Sequence, residues 1–215
     1  MPIPVVTIGI AGGTGAGKTT LAHRLFQKLD ESENVSYLHH DSYYRDLSHL
    51  TPAARAQNNF DHPDSLETSL LIEHIQSLKR GEAVDVPQWD FASHTRAKGT
   101  QSVTPQKIIL VEGILILSDE NLRRELDVMV YVDAAADIRL VRRLSRDLRE
   151  RGRTVDDVLR QYNETVRPMH EMFVEPSKYK ADVIVNNENP HSMAVACEVL
   201  ANHLSTKAGI KMACT

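Results

Sequence analysis

The chain has 215 residues, enough for one domain that buries its own core without staples. A formal charge of −4 argues against a general nucleic-acid binder, and two cysteines, Cys197 and Cys214, are too few for a disulfide framework and match no metal spacing. The longest apolar stretch, IILVEGILIL, is about half a membrane span and is interrupted by Glu112, and no basic segment precedes the first apolar run. The chain therefore reads as a cytoplasmic protein with reduced thiols, no membrane partner and no signal peptide.

The first predicted element is a strand over Val5–Ala11, a short β-branched run of the kind buried in a parallel sheet. GGTGAGKT follows at residues 12–19 and fits G-x-x-x-x-G-K-[ST]. In such a loop the backbone N–H groups of Gly12, Gly13, Thr14, Gly15, Ala16 and Gly17 curl around one anion, and the next helix adds its positive end. Lys18 then reaches the β/γ phosphates, the Thr19 hydroxyl sits on Mg²⁺, and Thr20 completes the binding segment. Leu21, Ala22, Leu25, Phe26 and Leu29 recur at helical spacing and predict a helix over 17–30.

Further strands are predicted at Val35–His39, Lys107–Val111, Asp127–Val132 and Asp182–Val185. Helices are predicted at 66–80, 119–126, 135–150, 154–174 and 191–207, with Gly81 and Gly152 as stops. This alternation reads as a single α/β domain, with a parallel sheet of about five strands and helices on both faces. Residues 84–105 break the pattern with Pro87, Gly99 and Pro105, and read as an irregular or hairpin insertion.

Ligands of open α/β sheets bind beyond the carboxyl ends of the strands, which singles out Asp41 and Glu112. Either carboxylate suits Mg²⁺ held through water, and Asp41 also suits proton abstraction from an attacking hydroxyl. A helix cap and a strand-end acid are the structural alternatives. FDHPD places Phe60 and Asp61 in a turn fixed by Pro63, where a carboxylate can accept from vicinal hydroxyls or serve the turn alone. In the insertion, Trp89, Phe91 and His94 suit a planar base or a small core cluster equally.

Residues 139–153 hold seven arginines against Asp147 and Glu150. At 100° per residue Ile138, Val141, Leu144 and Leu148 share one face, and Arg139, Arg142, Arg143 and Arg146 share the other. The expectation is a helix that packs its apolar face and turns its guanidinium groups outward. They form either a solvated basic face or a lid over about 139–155 that hinges at Gly152 and neutralises transferring phosphate.

Taken together, IGIAGGTGAGKTTLA, HHDSYYRDLSHL, NNFDHPDSLETSLLIEHI, DFASHTR, ILVEGILIL, DIRLVRRLSRDLRERGR and QYNETVRPMHEMFVEPSKYKADVIV resemble the uridine-cytidine kinases of the phosphoribulokinase and uridine kinase group. The resemblance implies a P-loop kinase fold and ATP- or GTP-dependent phosphorylation of the 5′-hydroxyl of uridine or cytidine, in pyrimidine salvage. It implies Asp41 as general base, Thr19 and Glu112 as the magnesium site, and Asp61 at the ribose hydroxyls. Tyr44, Phe91 and His94 fall at the base, with Phe60, Trp89 and Ile114 around the nucleoside. Arg143, Arg153 and Gln161 fall toward the sugar, and Arg146 and Arg151 toward the phosphates. A homotetramer is also implied. Trp89 stands where the group usually has tyrosine, and Thr14 and Ala16 stand where serines are common.

Other small-molecule kinases, acting on a phosphorylated sugar or on pantothenate, are the rival enzymatic reading, and Phe91 and His94 argue for a planar base instead. A GTPase switch would carry an N-K-x-D segment, which is missing from the sequence. A nucleotide-binding regulatory protein without catalysis fits poorly with Lys18, Asp41 and Glu112 all present.

Overall fold

Strands β1 (Val6–Ala11), β2 (Val35–His39), β3 (Val84–Asp90), β4 (Thr95–Val103), β5 (Ile108–Glu112), β6 (Val128–Asp133) and β7 (Val183–Asn186) are those found among the described residues of the computed structural model, which are 5–29 and 33–210. Asp30, at the end of the first predicted helix, and Cys214 lie outside them. Five strands form one parallel sheet in the order β2-β5-β1-β6-β7, and β3 and β4 form a separate antiparallel hairpin. The insertion is thus the hairpin form of the two expected, with a register shift between Pro87 and Trp89.

The helices are α1 (Lys18–Lys28), α2 (Pro52–Ala56), α3 (Thr68–Lys79), α4 (Glu120–Arg124), α5 (Ala136–Glu150), α6 (Val155–Gln161) and α7 (Pro190–Ala208). Two apolar cores sandwich the sheet. Ile8, Ile10, Leu110 and Val130 pack against Leu21 and Leu25 of α1 and Leu200 and Leu204 of α7. On the other face Ile109 and Val111 pack against Leu71, Ile75 and Leu78 of α3 and Leu122 of α4. Each fully buried Leu or Ile contributes about 1.5–3 kcal/mol, so both faces are anchored and the strand ends are held rigidly. The register sets Ile10 and His39 opposite Glu112, so three strands finish level at one edge.

Two features differ from the sequence reading. Beyond Gln161 the predicted helix over 154–174 is not regular: π-helical turns at Tyr162–Val166 and His170–Val174 alternate with short α turns up to Ser177. Pro168 and Pro176 each follow a π turn closely. A proline lacks the N–H for the bond four residues back and its ring crowds that carbonyl, so the turn before it widens.

The second difference corrects the expected orientation of α5. Arg139, Arg143 and Asp147 are its buried residues, whereas Val141 and Leu148 are 65% and 39% exposed. The polar face packs inward because it meets polar backbone: Arg139 Nε donates to the Ala134 carbonyl at 3.0 Å, and Arg142 Nη2 to the Asn187 carbonyl at 2.9 Å. Guanidinium groups can be buried where carbonyls and carboxylates accept their hydrogen bonds.

Candidate active site

The phosphate loop is shaped by what presses on it. Gly15 has φ +75, and a Cβ there would lie 2.2 Å from the Arg139 carbonyl oxygen, so a side chain at 15 would collide with the backbone of α5. Lys18 is buried and its Nζ donates to the Gly13 carbonyl at 3.2 Å. Burial lowers its pKa, partly opposed by Glu112 and Asp41. The loop is therefore closed on itself, with the lysine folded across it.

Thr19 Oγ1 lies 3.0 and 3.1 Å from the two Glu112 carboxylate oxygens, and His39 Nδ1 is 3.0 Å from Oε1. Desolvation works against ionisation of Glu112, but the His39 hydrogen bond, the Lys18 charge and the Thr19 hydroxyl together hold its pKa below the ordinary value. A charged carboxylate beside a hydroxyl at the mouth of a phosphate loop is a donor set suited to a hard divalent ion. Among the described residues no group of three or more His, Cys, Asp or Glu side chains is arranged to hold a metal ion. An ion here would rest on Thr19, Glu112 and the triphosphate itself.

Asp41 sits in a one-turn 3-10 helix, His40–Tyr43, directly after β2. Burial raises its pKa, with Glu112 adding to the effect and Lys18 and Arg151 opposing it. Asp61 is also raised, first by burial, with Arg143 as the main opposing charge and Asp41 and Lys18 within electrostatic reach. Tyr44 is buried and feels both Asp41 and Asp61. Asp41 is thus within electrostatic reach of Lys18, Glu112, Tyr44 and Asp61.

Tyr44 also belongs to an aromatic cluster. Tyr44 lies 5.0 Å from Trp89 and 5.4 Å from Phe60 between ring centroids, and His94 stacks on Phe60 at 5.1 Å and 17°. His94 has φ +53, unusual for a non-glycine residue, which marks a side chain held in place by its surroundings. Burial, then Arg153 and Arg55, lowers its pKa. Arg96 ties this hairpin down, donating to the Tyr44 carbonyl at 3.0 Å and pairing with Glu67 at 2.5 Å. Phe91 is not part of the cluster. It is 40% exposed at the hairpin tip, with the Arg151 guanidinium 4.4 Å above its ring. Ile114 packs beside the second core, near the end of β5.

The arginines come from α5 and the segment that follows it. Arg143 Nη1 donates to Thr14 Oγ1 at 3.0 Å and Nη2 to Gln161 Oε1 at 2.8 Å; Arg153 donates to the same Gln161 oxygen. Arg146 is within electrostatic reach of Lys18, and Arg151 of Asp41. A separate pocket of about 240 Å³ opens behind the loop, lined by Gly17, Thr20, Arg24, Arg142, Asn187 and Met193.

This arrangement can be set beside known proteins. The model of the phosphoribulokinase / uridine kinase family matches residues 7–193. The chain belongs to that family. It is 46% identical over 193 residues to the uridine kinase of Escherichia coli strain K12, covering 88% of this chain and 91% of that one. It is 45% identical over 190 residues to the uridine kinase of Halalkalibacterium halodurans, covering 88% and 90%. Among solved structures, a putative fructose transport system kinase from Silicibacter sp. TM1040 superposes with a TM-score of 0.72 at 20% identity, covering 86% of this chain and 90% of that one. A possible uridine kinase from Bacillus stearothermophilus gives 0.61 at 19%, with the same coverages. At these identities the two likenesses speak for the fold alone.

Within this family site, the sequence did not point to Arg96, Asn187 or Asp147. Asn187 donates to the Ala16 carbonyl at 2.6 Å from 171 positions away, a contact that no local pattern carries. Asp147 was visible only as an acid diluting an arginine cluster. Arg139 was assigned to the outward face of α5 and lies instead against the loop, 3.1 Å from His170 Nε2.

Proposed function

We propose that this chain is a uridine kinase that transfers the γ-phosphoryl group of ATP or GTP to the 5′-hydroxyl of uridine and cytidine, giving UMP or CMP. The observation that carries the reading is the likeness to uridine kinases over most of the chain, in which Asp41 directly follows β2 and is buried within electrostatic reach of Lys18, Glu112 and Asp61. A hydroxyl placed there faces a base and a phosphate loop at once.

The triphosphate lies in the loop, with backbone N–H groups and Lys18 on its phosphates and its base in the pocket lined by Arg24, Arg142 and Asn187. Thr19 and Glu112, with Asp41 helping to order water, are the residues that would hold Mg²⁺. The ion supplies charge neutralisation along the triphosphate. Asp61 accepts from the ribose hydroxyls, and Arg143, Arg153 and Gln161 close over the sugar. Tyr44, Phe60, Trp89, His94 and Ile114 surround the base, with Phe91 closing on it from the hairpin tip. Asp41 takes the 5′-hydroxyl proton as the oxygen attacks. Arg146 and Arg151 stabilise the charge that spreads over the γ-phosphoryl oxygens.

Cytosine and uracil present reversed donor and acceptor at the 4-carbon and N3. Neutral histidine has one of each and can exchange tautomers, so His94 serves both bases. Purines, with their second ring, are expected to be poor substrates, which a nucleoside panel checks. The reading includes a homotetramer, which light scattering on the purified protein tests. A coupled assay over a nucleoside panel with ATP and GTP tests the activity.

A further inference from the structure

Asp147 has no accessible surface, and four guanidinium groups converge on it. Arg146 approaches Oδ1 with Nη2 at 2.8 Å and Nε at 2.9 Å. Arg143 Nε is 3.6 Å from Oδ2, Arg151 Nη1 is 3.7 Å from Oδ1, and Arg153 Nη1 is 4.0 Å from Oδ2. Arg143 and Arg146 belong to α5, whereas Arg151 and Arg153 flank Gly152, whose φ of +60 turns the chain away from the helix. Arg143 Nε and Asp147 Oδ2 make no hydrogen bond, so much of the array is held by charge at 3.6–4.0 Å and not by fixed bonds.

Asp61 and Asp41 lie within electrostatic reach of Arg143 and Arg151, so three carboxylates face four guanidinium groups and the array keeps an excess of about one positive charge. Arg143 sets where the array faces, because its Nη1 rests on Thr14 of the phosphate loop. A carboxylate touching a polyphosphate would repel it, so Asp147 acts through its arginines.

We propose that Asp147 is a positioning residue that gathers the arginines from both sides of Gly152 into one array beside the loop, and that bound polyphosphate draws Arg146 and Arg151 away from it. The proposal rests on the reading of these two arginines as phosphate ligands. It implies two opposite effects of removing the charge. The array becomes more positive, so an anionic donor binds more tightly. The guanidinium groups lose their common anchor, so fewer encounters reach the reactive geometry.

The test compares D147N and D147E with wild type, using steady-state kinetics and the binding of inorganic tripolyphosphate. For D147N the expected result is kcat at least tenfold lower, with the donor KM and the tripolyphosphate Kd several-fold lower and the nucleoside KM little changed. D147E, which keeps the charge, returns donor KM and tripolyphosphate Kd to wild-type values and recovers part of kcat. A loss of packing alone cannot tighten anion binding. Wild-type kcat in D147N, or weaker tripolyphosphate binding in it, overturns the proposal, as does tightening that D147E fails to reverse. If D147N does not fold, the wild-type Arg Nε resonances decide. Those of Arg146 and Arg151 should shift on adding tripolyphosphate, and no shift at saturation overturns the idea. Tripolyphosphate that fails to bind wild type at all counts against the underlying reading of the arginines instead.

Discussion

Asp41 and Lys18 are separated by chemistry as well as position: one should handle a proton and the other charge. Asp41→Asn keeps the shape and removes the base, so kcat should fall by about 10²–10⁴ with the nucleoside KM near wild type. Retention of most of the turnover would take Asp41 out of that role. Lys18→Ala should lower turnover through lost stabilisation at the γ-phosphoryl group, visible as a kcat decrease larger than any rise in nucleoside KM. His94 carries a pH prediction. Its pKa is depressed in the folded protein by burial and by Arg153 and Arg55, while in the unfolded chain it is about 6.5. Its neutral form therefore stabilises the fold fully above about pH 6.5, and that contribution is lost as pH falls through the folded value. The ring's NMR titration midpoint should lie below about 6.5 in the free protein, and a midpoint above it would contradict the placement. His94→Leu should cost uridine and cytidine alike roughly 1–3 kcal/mol in kcat/KM, with little change in donor KM. The single residues of the site were legible to the degree that short motifs carry them. Asp41 follows a predicted strand end and Glu112 closes another, but Asp147 is an acid in a basic run, and its burial depends on which face of α5 turns inward.

At the scale of elements, the strand positions and the hairpin were readable because β-branched runs and proline punctuation act locally. The orientation of α5 was not. Hydrophobic periodicity assumes that the apolar face meets the core, and here the polar face meets a backbone rich in acceptors, leaving Val141 exposed. The two π turns were hidden for a related reason: Pro168 was read within the helix predicted over 154–174, on a periodicity that counts apolar positions and not missing N–H donors. The loop and α5 are in direct contact at Gly15, so Gly15→Ala should disable triphosphate binding while leaving the sheet intact. Thermal denaturation should show a folded protein, and fluorescence titration a donor Kd raised more than tenfold; near-normal affinity would show that the loop tolerates the collision. The segment 142–155 should become ordered when both substrates are present, since clustered cations repel until polyphosphate neutralises them. Hydrogen exchange there should slow in the ternary complex with an ATP analogue and nucleoside. Unchanged exchange would argue that the arginines already stand in their working positions.

For the molecule as a whole, the sheet edge acts as a ruler. The level ends of β1, β2 and β5 set the phosphate loop, Asp41 and Glu112 at one end of the sheet, beside the groups of the hairpin and α5 proposed to bind base and phosphates. No helix among the described residues is long and apolar enough to cross a membrane. The central claim is that this cleft phosphorylates pyrimidine ribonucleosides, and the most direct test is kcat/KM for uridine, cytidine and adenosine with ATP and Mg²⁺. The account predicts efficient turnover of both pyrimidines and adenosine at least a hundredfold slower; efficient phosphorylation of adenosine, or no turnover of either pyrimidine, would contradict it.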